Sequence, residues 1–295
     1  MRCLPAWLLV VVVSAAAVPA AAPTNPQRMV FVSTQAGAFD VWTARLDGSD
    51  MRNLTNTKAY DSFPGWSPDG KWIVFVRDEK AIGKLWIVNA GGRGLRRLTR
   101  GKAKNAEPAW SPNGRLIAYG STASPPGIWV IRPNGTHARP LAPRGVSGGA
   151  PSWSPNGRRI VYAASCGPDL LHTCIYAINA NGTQRRQLTQ PANDDDWAPA
   201  WSPDGAQIAW IHGPELWLMN SDGSSPHKLH PAGDWPDDTP PYDTSPSWSP
   251  DGSRILFGTT YSPSSLAVVG RDGSGFSPVA AGLIHDGISP AWRPR

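Results

Sequence analysis

The sequence predicts an all-β protein, a six-bladed β-propeller of four-stranded antiparallel blades. A short phrase around a tryptophan recurs at intervals of 43 to 48 residues, at Trp66, Trp110, Trp153, Trp201, Trp248 and Trp292. Repeats of about 40–45 residues with several short β-rich segments are typical of propeller blades. Asn-Gly or Asp-Gly pairs such as Asp47-Gly48 recur within the repeats and indicate hairpin turns. The 15 tryptophans supply large apolar surfaces for burial.

The N-terminal segment has the pattern of an export signal. Arg2 precedes an apolar run from Leu4 to Val18, and small residues continue to Ala22. A cationic start, an apolar stretch and a small-residue exit are what a secretory signal peptide requires. The run is shorter than the about 20 apolar residues of a membrane-spanning helix, although an uncleaved anchor is the alternative. We expect a signal peptide at residues 1–22 and an exported propeller at 23–295, periplasmic or extracellular.

The second repeat shows how the sequence builds a blade. Residues 64–67 form a short first strand, and residues 67–70 form a turn in which proline presets φ and glycine accepts the left-handed conformation. Residues 72–76 and 84–88 are rich in β-branched and aromatic side chains, which predicts the second and third strands. After a glycine-containing turn, residues 95–99 are expected to form the outer strand.

The two ends of the chain complete one another. The N-terminal repeat has segments typical of second, third and fourth strands, at 29–32, 40–43 and 52–55, but lacks the Trp-Ser-Pro first strand. The C-terminus offers only that missing piece, Pro290–Pro294. We therefore predict that the C-terminal strand pairs into the N-terminal blade, because closure of the ring removes open sheet edges.

The repeat phrase also identifies a family. The sequence Pro-x-Trp-Ser-Pro-Asp-Gly, followed by a strand such as Gln207–Trp210 and then by Glu215–Asn220, resembles the TolB-type propeller repeat over essentially the whole chain after residue 22. The resemblance implies the fold more than an activity, because propellers serve many unrelated tasks. TolB carries a further N-terminal α/β domain with part of its envelope role. We expect that domain to be absent, since repeats begin near Arg28, and TolB's partners are not carried over.

The formal net charge is +6, and the densest basic stretch runs from Arg93 to Lys104. A nucleic-acid or anionic surface is one interpretation. The favoured one is an exposed outer strand, where charge prevents edge-to-edge pairing, and no nucleic-acid partner is expected. Cys166 and Cys174 are the two cysteines left after removal of the signal peptide. In an exported protein they are expected to form a disulfide across a short hairpin loop of the fourth blade.

A candidate ligand site follows from the connections between blades. These connections vary in length and lie on the face opposite the uniform Ser-Pro-Asp/Asn-Gly turns, and variable loops on a rigid scaffold are where binding usually occurs. Polar residues stand just before the inner strand in five of the six connections: Asp61, Asn105, Asp196, Asp243 and Asp286. We expect them at one channel mouth, as a site for a cationic ligand, an amine or a divalent cation such as calcium. The alternative is that each caps its own turn.

Catalytic signals are weak. Residues 145–149 match G-x-S-x-G, but that motif requires the strand-to-helix elbow of an α/β fold. His285 beside Asp286 would suit acid–base chemistry with channel carboxylates, whereas an ordinary surface histidine is the simpler interpretation. A lyase or hydrolase acting on a cell-envelope or sugar substrate is therefore the alternative function.

The sequence favours a monomeric binding module for a protein, peptide or glycan at the loop-rich face, and not an enzyme. An aromatic patch at Trp197, Trp235 and Tyr242 would support binding of a protein or glycan. No cofactor is expected apart from the divalent cation.

Overall fold

The computed structural model describes residues 27–141, 148–167, 170–190, 194–229, 243–259, 266–279 and 288–294. Across these ranges the regular elements are 24 β-strands in six four-stranded antiparallel sheets, which confirms the predicted six-bladed propeller. None of the described segments forms a helix long and apolar enough to cross a membrane. The predicted signal peptide lies outside the described residues.

Each blade contributes four strands, counted from the central channel outward. The first blade contains β1 (Arg28–Ser33), β2 (Asp40–Arg45) and β3 (Arg52–Asn53). The second and third contain β4 (Asp61–Trp66), β5 (Trp72–Glu79), β6 (Ile82–Asn89), β7 (Arg96–Arg97), β8 (Asn105–Trp110), β9 (Ile117–Ser121), β10 (Gly127–Ile131) and β11 (Arg139–Pro140). The fourth contains β12 (Gly148–Trp153), β13 (Arg159–Cys166), β14 (His172–Asn179) and β15 (Arg186–Gln187). The fifth and sixth contain β16 (Asp196–Trp201), β17 (Gln207–His212), β18 (Glu215–Asn220), β19 (His227–Lys228), β20 (Asp243–Trp248), β21 (Arg254–Thr259), β22 (Leu266–Gly270) and β23 (Ser277–Pro278).

The ring closes as predicted. The last strand, β24 (Ile288–Trp292), is the innermost strand of the first blade and pairs antiparallel with β1, with Met29 opposite Trp292. The backbone N–H of Arg293 donates to the carbonyl of Arg28 at 2.9 Å, which extends this pairing by one residue. The closing strand thus completes the first blade, and β1 is not left as its innermost strand.

Six apolar clusters hold the blades together, one at each boundary between neighbouring blades. Each cluster includes, or is packed against by, one repeat tryptophan: Trp66, Trp110, Trp153, Trp201, Trp248 or Trp292. The regular spacing of tryptophan thus reflects one structural task, because a single large side chain per repeat fills the space between adjacent sheets. Trp292 fills the closing boundary, as the ring-closure prediction requires.

The Ser-Pro-Asp/Asn-Gly turns are held by their own side chains. In the second blade the buried Ser67 hydroxyl donates to Asp69 at 2.6 Å and accepts the N–H of Trp72 at 2.9 Å. Gly70 adopts a φ of 63°, which only glycine reaches without cost. The same serine-to-Asp/Asn bond recurs at residues 111–113, 154–156, 202–204 and 249–251.

The outer strands are shorter than the sequence predicts. Only Arg96 and Arg97 pair in the second blade, whereas residues 95–99 were expected to form the strand. The chain then turns inward, so that Leu98 is buried and the Thr99 hydroxyl accepts the N–H of Leu85 at 2.9 Å. Of the basic stretch, Arg96 and Arg97 lie on the outer strand as predicted, and Arg97 forms an ion pair with Glu79 at 2.7 Å. Arg100, Lys102 and Lys104 follow in the connection to the third blade.

Candidate functional site

A cavity of about 420 Å³ occupies the central channel. Two layers of its wall are uniform around the ring. The residue before each repeat tryptophan is small, namely Gly65, Ala109, Ser152, Ala200, Ser247 and Ala291. The residue before that is always proline, namely Pro64, Pro108, Pro151, Pro199, Pro246 and Pro290. Because both layers carry compact side chains, the centre of the ring stays open.

A third layer is the variable one. It consists of Phe63, Glu107, Ala150, Ala198, Ser245 and Ser289, all with φ between 47° and 51°. Each precedes a proline, which has no N–H for the ladder, and the pairing of every inner strand shifts register at this point. A positive φ in a residue other than glycine costs about 1–3 kcal/mol and is found preferentially at functional sites. The bulge redirects this layer of side chains relative to a regular strand.

Among the described residues that line the channel cavity, Glu107 has the only ionisable side chain. Its carboxylate accepts the backbone N–H of Ala150, in the neighbouring blade, at 2.6 Å. Burial raises the pKa of Glu107, and the hydrogen bond from Ala150 opposes that rise. The channel thus presents one acidic group in a largely apolar wall.

The glycine pair of the fourth blade makes room for this carboxylate. A Cβ on Gly149 would lie 2.4 Å from Oε2 of Glu107, and a Cβ on Gly148 would lie 3.3 Å from the Tyr162 ring. Gly148 and Gly149 therefore serve packing, and the Gly145 and Ser147 positions of the G-x-S-x-G match lie outside the described residues. The five site residues predicted from the sequence do not include Glu107. The available signal in the sequence was that residues 148–149 are glycines, whereas the connections of the predicted set have an aspartate or asparagine before the inner strand.

The predicted site residues in the second and third blades are buried in local contacts. Asp61 receives bonds from Nε and Nη2 of Arg77, each at 2.7 Å. Burial raises the pKa of Asp61, and the hydrogen bonds from Arg77 oppose that rise. Asn105 donates to the Ala103 carbonyl at 3.1 Å and accepts the hydroxyl of Ser121 at 3.1 Å.

Next to the Asp61–Arg77 pair, the second blade buries another cation. Lys84 lies opposite Arg77 in the ladder, is 2 % exposed and donates to the Ala103 carbonyl. Burial lowers the pKa of Lys84, and the charge of Arg97 adds to the effect. The row of Asp61, Arg77 and Lys84 is therefore a buried polar layer at the start of the inner strand.

In the fifth blade, Asp196 accepts two hydrogen bonds on one carboxylate oxygen. Trp210 Nε1 donates to Oδ1 at 2.9 Å, and His212 Nδ1 lies 2.8 Å from the same atom. Asp61, Asn105 and Asp196 occupy equivalent first positions of their inner strands, but they are not among the residues that line the channel cavity. His212 was missed in the sequence, although it stands at the hairpin end directly opposite Asp196.

The rest of the predicted set is beyond the described side chains. Asp243 begins β20 opposite Thr259, and only its backbone is described. Asp286, His285, Trp235 and Tyr242 lie outside the described residues. Within the described part of the chain, no group of three or more histidine, cysteine or acidic side chains is arranged to hold a metal ion. Ligand binding by the five-residue set, and the acid–base role of His285, stay predictions.

The family can be named from comparison with known proteins. The family model of the TolB beta propeller domain, PD40, matches residues 10–196. The chain belongs to the TolB β-propeller family. No curated protein sequence matches the chain significantly.

Solved structures agree with the TolB-family fold. TolB from Acinetobacter baumannii superposes with a TM-score of 0.77 at 19% identity, over 91% of this chain and 67% of that one. A structure assigned as TolB from Agrobacterium tumefaciens gives 0.65 at 20% identity, over 89% and 90%. A chain of a nidogen/laminin complex gives 0.70 at 12% identity, over 90% and 98%. At these identities the likeness concerns the fold. Family and fold together support, at a coarse level, a module that binds or interacts with another molecule.

Proposed function

We propose that this TolB-family propeller is an exported binding module that holds a segment of a protein partner in its central channel. The observation that carries the proposal is the open cavity of about 420 Å³ behind rings of proline and of small residues. That volume is within the about 300–1,000 Å³ typical of ligand sites, which are concave and mostly apolar with a few placed polar groups. It suits one or two side chains of an extended segment better than a folded domain.

Glu107 gives the proposed site its chemical preference. An ionised carboxylate in an apolar wall is unfavourable unless it is paired, and here its partner is a single backbone N–H. A lysine, an arginine or an N-terminal amine would supply the missing positive charge. Binding of such a cation would reverse the effect of burial on the pKa of Glu107, because an opposite charge favours the ionised form.

Export is supported by two features. The N-terminal pattern is that of a signal peptide, and Cys166 and Cys174 are joined in a disulfide with a Cα–Cα distance of 5.8 Å. Disulfides persist in oxidising compartments and are rare in the cytosol. We therefore infer that the mature protein works in the periplasm or outside the cell.

The test compares capture of partners by three forms of the mature protein from an envelope extract, with identification by mass spectrometry. Ala200→Leu adds bulk to the small-residue layer of the channel, and Ala138→Leu makes the same change at an exposed position. A partner recovered by the wild type and by Ala138→Leu, but not by Ala200→Leu, supports channel binding. Equal recovery by all three forms excludes it.

A second step tests the role of Glu107 with a peptide from the recovered partner. Glu107→Gln keeps an acceptor for the Ala150 N–H but removes the charge. We expect the variant to bind a lysine-containing peptide about tenfold more weakly, as loss of a charged hydrogen bond does. Its affinity for the same peptide with norleucine in place of lysine should be unchanged. Equal weakening of both peptides would remove Glu107 from the proposal.

The five-residue set remains a separate proposal for a cation or amine site near the loop-rich mouth. In its support, Asp61, Asn105 and Asp196 stand at one level of the ring. Because Asp61 is paired with Arg77, the informative change is Asp196→Asn combined with Asp243→Asn. Calorimetry with calcium, and with the lysine peptide, should show weaker binding in this double variant. Unchanged affinity for both would end the proposal.

A further inference from the structure

A second cavity, of about 330 Å³, lies between the fourth and fifth blades and away from the channel. The end of the fourth blade contributes Leu188 and Gln190 to its wall. The fifth blade contributes Asp196, Trp210, His212 and Trp217. The wall is therefore mainly aromatic and aliphatic, with a few polar groups converging on it, which is the usual composition of a small-molecule site.

Asp196 fixes the orientation of His212. Because the carboxylate accepts hydrogen bonds, the proton of a neutral His212 ring lies on Nδ1, 2.8 Å from Asp196. Nε2, on the far side of the ring, is then left as a hydrogen-bond acceptor. The His212 side chain is 23% exposed, so this acceptor is within reach of a ligand in the cavity.

The other blades show that the fold does not require this pair. The equivalent positions hold Asp61 with Arg77, Asn105 with Ser121, and Gly148 with Ala164. Arg77 donates hydrogen bonds from two nitrogens to Asp61, and the Gly148–Ala164 pair has no polar side chain. In the Asp196–His212 pair, Nδ1 bonds the partner and Nε2 is directed away from it. The fifth blade has thus acquired a polar group that blade folding alone does not explain.

The two carboxylates near this cavity already have hydrogen-bond or ion-pair partners. Asp196 accepts hydrogen bonds from both Trp210 and His212. Glu215 accepts from Lys228 at 2.6 Å and from Trp217 Nε1 at 3.3 Å. The second contact also holds the half-buried Trp217 indole, which lies edge-on to His212 with 5.0 Å between ring centroids. An anion would face the Asp196 carboxylate, so a neutral ligand fits better than an anion.

We propose that this cavity binds a neutral hydroxylated ring, a single sugar residue. The apolar face of the sugar packs against Trp217, and one hydroxyl donates to Nε2 of His212. Aromatic side chains offer large apolar surfaces to such a ring, while the acceptor fixes its orientation. The exposed Gln190 supplies further hydrogen bonds at the mouth.

Two substitutions at one position separate the role of Nε2 from that of Nδ1. His212→Asn retains an amide N–H where Nδ1 bonds Asp196 but has no atom at Nε2. His212→Gln reaches the Nε2 position and gives up the bond to Asp196. The probes are free glucose, galactose, mannose and N-acetylglucosamine, observed by saturation-transfer NMR and titrated by calorimetry. His137→Asn is the matched control, because it makes the same change at an exposed histidine of the third blade, away from this cavity.

We expect at least one of the four sugars to bind the wild type and the His137→Asn control equally. His212→Asn should lower the affinity for that sugar about tenfold, and His212→Gln should retain most of the affinity. Gln190→Trp, an exposed change at the mouth, should abolish binding even if His212→Asn proves unstable. The proposal is overturned if none of the four sugars binds, if His212→Asn binds like the wild type, or if tetramethylammonium binds the cavity in their place.

Discussion

Glu107 and Gly149 depend on each other, although they belong to different blades. The carboxylate lies where a Cβ on residue 149 would be, at 2.4 Å, and is held there by the N–H of Ala150. Gly149→Ala should therefore lower the free energy of unfolding by about 1–3 kcal/mol, the usual cost of overpacking. Gly65→Ala is the matched control, because its Cβ would meet its nearest neighbour, the Pro108 carbonyl, at 3.4 Å. Urea unfolding of both variants measures the difference.

A double-mutant cycle identifies the cause of that loss. Adding Glu107→Ala to Gly149→Ala removes the group that the new methyl meets, so the double variant should be more stable than the sum of the single changes predicts. Coupling of about 0.5–3 kcal/mol is typical of residues in contact. Strict additivity would show that Gly149 is needed for another reason.

The charge of Glu107 should cost stability at neutral pH. Burial raises its folded-state pKa, so the ionised form is penalised in the folded state. The penalty is absent below the unfolded pKa of about 4.3 and grows as the pH rises through the folded pKa. Glu107→Gln should therefore raise the melting temperature at pH 7 and change it little at pH 4. An equal shift at both pH values would contradict this account.

At the scale of the element, the five Ser-Pro-Asp/Asn-Gly turns contain an internal comparison. Three end in an aspartate, Asp69, Asp204 and Asp251, and two in an asparagine, Asn113 and Asn156. The serine hydroxyl is the largest cause that lowers the pKa of each aspartate, and the pKa of Asp251 falls to about 2. A neighbouring backbone N–H adds to the effect in all three turns.

These depressed pKa values make the turns sensitive to acid. The stabilisation is complete above the unfolded pKa of about 3.9 and is lost as the pH falls toward the folded values. We expect the free energy of unfolding to fall below about pH 4, and Asp204→Asn with Asp251→Asn to flatten that fall. Asparagine keeps the acceptor, as the natural Asn113 and Asn156 turns show. Urea titrations between pH 2 and 7 test the prediction, and parallel curves for both proteins would refute it.

The disulfide of the fourth blade joins two adjacent strands. Cys166 ends β13 and Cys174 lies within β14, and both sulfurs contribute to a buried cluster. Closing so short a loop restricts the unfolded chain and is worth about 2–3 kcal/mol on the chain-entropy model. Reduction should lower the melting temperature of the wild type, whereas a Cys166→Ala, Cys174→Ala variant should melt lower and not respond to reductant. Two reactive thiols in the unreduced wild type would contradict the pairing.

Turns and cysteines could be predicted because their partners are close in sequence. A serine and an aspartate or asparagine two residues apart form the same bond in five of the six repeats, so the phrase itself encodes the turn. The contact of Glu107 with Ala150 spans 43 residues and crosses a blade boundary. Asp196 and His212 meet because the register of two neighbouring strands places them opposite each other. The repeat alignment located the strands but did not indicate which side chain would lie opposite Asp196. Sequence therefore located the polar positions but not their partners.

At the scale of the whole molecule, functional candidates lie where the repeats differ. The proline layer, the small-residue layer and the tryptophans are shared by all six blades and account for the fold. The variable layer places one acid in the channel. In the fifth blade, the residue paired with the first inner-strand position is His212, which lies beside a second cavity. Because the blades are nearly identical, single residues that differ between them would define a site, as expected when function is carried by local changes on a common scaffold.

The ring depends on its last strand, and removing that strand should destabilise all of it. Deletion of residues 289–295 takes Trp292 from the closing cluster and exposes the inner edge of β1. A buried tryptophan alone is worth about 3–5 kcal/mol, and an open edge invites pairing with other chains. The truncated protein should melt well below the wild type and aggregate.

Two controls accompany this truncation, and both are measured by thermal unfolding and light scattering. Deletion of Arg295 alone leaves β24 complete and should have little effect. Trp292→Ala keeps the strand but empties the interblade site, so it should show the loss of stability with less aggregation. An unchanged melting temperature after deletion of residues 289–295 would mean that the ring does not rely on strand exchange between its termini.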